Sequence, residues 1–134
     1  MSVWTHVAGV VRVDAIRGLS VDVDFDKIFG KEWDFEDMWD DEPIYNEYIE
    51  NPKDFMPCGS EGTLHKDIWI NPDKQAIPSY TVSVFGDLRD YDDTQSIIKW
   101  FKECCDRLWV RQATITVETE GAKIVNYTYT DNKE

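Results

Sequence analysis

Ten of the thirteen excess negative charges in this 134-residue chain fall within residues 22–50. That stretch holds twelve acids against Lys27 and Lys31, for −10. Residues 1–21 carry Arg12 and Arg17 against Asp14, for +1, and residues 51–134 carry fourteen acids against ten bases, for −4. The same acidic stretch contains Phe25, Phe29, Trp33, Phe35, Trp39, Tyr45 and Tyr48, with Ile28, Met38, Ile44 and Ile49. Solvating acidic tails lack such residues. These side chains have enough apolar mass to dock onto a core and hold carboxylates in fixed positions. Crowding like charges costs stability by self-repulsion, so a folded cluster needs a reason that a disordered one does not.

The rest of the composition suits one domain spanning residues 1–134. Hydrophobic residues make up 42% and aromatics 13% of the chain, too apolar for disorder even at −13. A chain of this length buries roughly two thirds of its unfolded surface, enough for one core. A sequence pI near 4.4 argues against direct binding of nucleic acid or an anionic membrane, since phosphate affinity comes from Lys and Arg. Cys58, Cys104 and Cys105 are an odd set, two of them adjacent, and read as reduced thiols. The first residues, Met1-Ser2-Val3-Trp4-Thr5-His6, lack the basic and apolar regions of a signal peptide, and no apolar run spans a bilayer. A cytoplasmic location is expected.

Periodicity predicts an α+β domain. Residues 3–13 read as a buried first strand. The alternation Val21-Asp22-Val23-Asp24-Phe25-Asp26 has strand period, although Ile28 and Phe29 also fit a helix capped by Asp26. Residues 32–42 place Phe35, Met38 and Trp39 at helical spacing, and Pro43 opens a second short helix. Residues 63–70 and 80–86 read as a hairpin, and Asp92 or Asp93 caps a helix with Ile97, Ile98, Phe101, Cys105 and Leu108 in one stripe. Residues 110–118 and 123–130 pair about a turn at Gly121. The expected fold is an antiparallel sheet with helices on one face, a ferredoxin-like arrangement with an extra C-terminal hairpin.

No motif identifies a reaction. Asp22-x-Asp24-x-Asp26 fails as an EF-hand because Lys27 and Trp33 stand where Gly and Glu are required. Cys58, with His65 and His6, could form a nucleophile and base beside the Gly59-Ser60-Glu61-Gly62 connector as a nest of N–H groups, but no third orienting group is indicated. The cysteines and histidines lack zinc spacing. Asp87-Leu88-Arg89-Asp90-Tyr91-Asp92-Asp93 reads as a strand-to-helix loop with acids at the helix N-terminus and Arg89 paired locally.

No cofactor or metal is expected, nor catalysis. A folded patch of carboxylates can stand in for phosphates and compete for the Lys and Arg of a nucleic-acid-binding protein. The expected surface comprises Asp34, Glu36, Asp37, Asp40, Asp41, Glu42, Glu47 and Glu50, with Trp33, Trp39 and Tyr45 as anchors. In its general properties the chain resembles phage-encoded anti-restriction and anti-CRISPR proteins, which are small, acidic and without catalytic motifs. That resemblance implies a DNA-mimic inhibitor. The alternatives are an immunity or antitoxin protein neutralising a basic toxin, and a small enzyme or ligand-binding domain using Cys58 and His65.

Overall fold

A computed structural model describes residues 3–14, 24–33, 54–72, 79–91 and 93–130. The element order is β1 (Trp4–Asp14), α1 (Phe25–Phe29), β2 (His65–Ile70), β3 (Ser79–Arg89), α2 (Thr94–Asp106), β4 (Val110–Thr119) and β5 (Val125–Thr128). The five strands form one sheet in the order β2-β3-β1-β4-β5, and every neighbouring pair is antiparallel. Among the described residues the protein is thus of α+β class, an antiparallel sheet with two helices. No helix of the described residues is long and apolar enough to cross a membrane.

Strand β1 is buried on one face only, a correction to the expectation of a buried strand. Thr5, Val7, Gly9, Val11 and Val13 point inward, while His6, Ala8, Val10 and Arg12 are exposed. The inward row continues across the sheet through Val82 and Val84 of β3 and Ala113, Ile115 and Val117 of β4. Both helices pack on that face. Helix α2 contributes Ile97, Phe101, Cys104 and Cys105, and α1 contributes Phe25 and Phe29. Burial of this row is the main stabilising term, at about 25 cal/mol per Å² of apolar surface removed from water.

Residues 25–29 are helical rather than extended, and the cap is Asp24 rather than Asp26. The Asp24 carboxylate accepts from the Lys27 N–H at 3.3 Å. A five-residue helix cannot repay its own nucleation, so tertiary contacts hold it. The Trp100 indole N–H donates to the Phe29 carbonyl (3.2 Å), and the Cys104 thiol donates to that of Ile28 (3.3 Å). These bonds satisfy carbonyls that the helix end leaves open. Helix α2 begins as its sequence implies: Asp93 accepts from the Ser96 hydroxyl at 2.6 Å and from the Ser96 N–H at 3.1 Å, and these bonds, the hydroxyl's first, lower the Asp93 carboxyl pKa.

The uncovered face carries a mixture. Across from one another stand His65, Phe85 and Ala8, then Asp67, Ser83 and Val10, then Trp69, Thr81 and Arg12. His6 Nδ1 lies 2.6 Å from an Asp87 carboxylate oxygen, and that bond raises the His6 pKa. Residues 59–62 form a tight turn folded against the end of β3. The Gly59 N–H donates to the Gly62 carbonyl (3.0 Å), and the Ser60 N–H to that of Arg89 (2.9 Å). Gly62 has φ of +80°, and a Cβ there would lie 2.0 Å from the Asp87 carbonyl oxygen. Gly62→Ala is therefore expected to destabilise the fold by about 2 kcal/mol or more. Urea denaturation would check this, and an unchanged midpoint would contradict the placement of the turn.

Candidate functional site

The acidic segment is fastened to the core at both ends. On its N-terminal side the chain passes from α1 through Gly30, Lys31, Glu32 and Trp33. On its C-terminal side, residues 54–56 return beside the same place: the Lys31 N–H donates to the Asp54 carbonyl and the Met56 N–H to the Lys31 carbonyl, both at 2.8 Å. Lys31 and Phe55 form an isolated parallel bridge. The rings of Trp33 and Phe55 meet edge to face at 5.4 Å, and the Trp33 N–H donates to the Thr63 hydroxyl. The intervening residues 34–53 carry eight acids and one base, Lys53, for −7.

Charges around this junction are individually engaged. Lys66, whose side chain is only 8% exposed, places Nζ 2.6 Å from Asp26 and 2.8 Å from the Gly30 carbonyl. A Lys buried to this degree requires such partners. Glu32 accepts from the Lys66 N–H at 3.0 Å and faces His65 Nδ1 at 3.2 Å. Partial burial works to raise the Glu32 pKa, but these two partners outweigh it and hold the carboxyl below its usual value. Asp24, Asp26, Lys27, Lys31 and Asp54 line a shallow hollow of about 180 Å³ beside the junction.

Among the expected contact residues, Trp33 is placed differently from the expectation. It is 4% exposed and packs on Phe55, so it is a packing residue rather than a surface anchor. Asp34, Glu36, Asp37, Trp39, Asp40, Asp41, Glu42, Tyr45, Glu47 and Glu50 lie outside the described residues, as do the helices expected over residues 34–50. Asp54 and its return beside Lys31 were missed in sequence. The available signal was the apolar pair Phe55-Met56 beginning three residues after the breaker Pro52.

A second concavity of about 390 Å³ lies between α1, residues 55–58 and α2. Phe29, Phe55 and Trp100 line it, with Tyr91, Cys58 and Cys104. Cys58 therefore faces the helix side of the sheet. His65 is on the open face, tilted over Phe85 with ring centroids 5.8 Å apart. The Gly59–Gly62 turn uses the Gly59 and Ser60 N–H groups internally, so it does not present them as an anion nest. The stretch expected as a strand-to-helix loop from Asp87 is strand as far as Arg89, because residues 87–89 continue the pairing with β1; Arg89 pairs with Glu61 at 2.8 Å and Asp93 caps α2.

No known protein family, curated protein or solved structure matches this chain. Burial pushes the Cys104 and Cys105 thiols up to about 12, so both stay protonated near neutral pH. Cys58 is partly exposed. One of the three thiols, Cys58, is expected to react rapidly with a maleimide in the native protein, and all three after denaturation. Fast modification of more than one, read by intact mass, would contradict the packing of α2.

Proposed function

We propose that this protein is a non-enzymatic acidic binding protein that inhibits a nucleic-acid-binding partner by presenting a DNA-mimic surface, of anti-CRISPR or anti-restriction type. The observation that supports this reading most is the fastening of the −7 segment at Lys31 and Phe55. The two flanks of this segment meet at Lys31 and Phe55, and the sequence between them concentrates eight acids against one base, a density of like charge suited to a strong local field. Such a field steers a basic partner and competes with phosphates for its Lys and Arg. The partner surface comprises Asp34, Glu36, Asp37, Asp40, Asp41, Glu42, Glu47 and Glu50, with Trp39 and Tyr45 as aromatic anchors.

The protein acts in the cytoplasm and binds neither nucleic acid nor membrane itself. Its framework is a ferredoxin-like arrangement with an added C-terminal hairpin, a reading supported by the order β2-β3-β1-β4 with β5 beyond β4. The fold carries no vote on function.

The test is a pull-down from host lysate with the wild type and with a variant in which Asp37, Asp40, Asp41, Glu42 and Glu47 become Asn or Gln. The wild type alone should recover a nucleic-acid-binding protein, released by salt or by competing DNA. Recovery of a basic toxin would favour the immunity-protein reading. Identical recoveries by both proteins would refute a role for the acidic segment.

A further inference from the structure

Among the described residues strand β2 is an edge of the sheet, with no strand paired to the outer side of its second half. The Lys66 N–H points away from β3, to Glu32, whereas the Asn71 N–H points toward it, to the Ser79 carbonyl at 3.1 Å. Alternation along a strand then directs the N–H groups of Ile68 and Ile70 outward. Three consecutive apolar side chains are exposed here: Ile68 at 36%, Trp69 at 55% and Ile70 at 63%. Residues 68–72, Ile-Trp-Ile-Asn-Pro, carry no charge in a chain of −13. Exposed apolar edges of this kind are templates for strand addition.

We infer that this edge pairs with the same edge of a second copy, antiparallel and centred on Trp69, to make a continuous ten-stranded sheet. In that register Ile68 of each copy exchanges N–H···O=C bonds with Ile70 of the other, four bonds in all. Trp69 faces Trp69 on the open face as the closer, non-hydrogen-bonded pair, and the isoleucines meet on the helix face. Charge fits this occupant. Asp67 falls opposite Asn71 rather than another acid, so no like charges face each other across the strands. The register also closes itself at both ends. The next bonded pair would be Lys66 with Pro72, but Pro72 has no N–H and the Lys66 N–H is already taken by Glu32. A two-fold axis relates the copies, so the contact is closed and does not propagate into fibres.

The strip is short compared with a standard interface, so the dimer is expected to dissociate on dilution. Sedimentation equilibrium of the full chain across a wide concentration range tests this. The wild type should approach twice its 15.7 kDa at high concentration. Trp69→Lys, which sets two like charges opposite each other, should remain a monomer throughout. Ile70→Pro should do the same, because it removes an outward N–H and leaves the β3 ladder intact. Trp109→Lys changes another exposed tryptophan, 56% exposed and just before β4, and should dimerise like the wild type. Circular dichroism would establish that each variant is folded. A wild type monomeric at every concentration would overturn the inference, as would a dimer indifferent to both β2 substitutions.

Discussion

Strand β1 lies between β3 and β4 and is the one element on which every other placement depends. It joins residues far apart in sequence, pairing Trp4 with Arg89 and Thr5 with Thr119. Its inward row is small at the middle: a Cβ on Gly9 would lie 3.0 Å from side-chain atoms of both Val84 and Ile115. The flanking strands therefore close over β1 there, and their larger side chains fill the space beneath α2. At the end of the strand, the buried Thr5 hydroxyl is satisfied by the Tyr91 carbonyl and by Thr119 at 2.9 Å. That arrangement meets the requirement that a buried hydroxyl be bonded, and it draws the start of α2 toward the sheet.

The acidic segment depends on this framework indirectly. Helix α1 rests on α2 through Trp100 and Cys104, and Lys66 of β2 reaches the end of α1 through Gly30 and Asp26. These contacts position Lys31, which then receives residues 54–56. Repulsion among the carboxylates of residues 34–53 works against compactness. The opposing contributions visible at the junction are the backbone bonds of Lys31, the Trp33–Phe55 contact and the buried Lys66.

Much of the sheet was legible because its patterns were local. The Val-rich run of β1, the apolar stripe of α2 and its aspartate cap, and the β-branched run of β4 each announce themselves within a dozen residues, although the one-faced burial of β1 was not read from its run. The short helix α1 was ambiguous because Val21 to Phe25 alternates with strand period while Phe25, Ile28 and Phe29 fit a helical face. Contacts from α2, seventy residues away, decide the matter. Trp33 illustrates the limit for aromatics in an acidic context: neighbouring charge suggested exposure, but its partner Phe55 lies beyond the segment. The separation of Cys58 from His65 was equally hidden, since only the strand register sends His65 to the open face.

Native-state hydrogen exchange at the amides of Lys31 and Met56 tests most directly whether the acidic segment is fastened to the core. Both amides donate across the junction at 2.8 Å. If the junction is part of the cooperative core, they should exchange with opening free energies close to those of the central amides of β1. Exchange at the rate of an unstructured chain, with β1 still protected, would contradict the account.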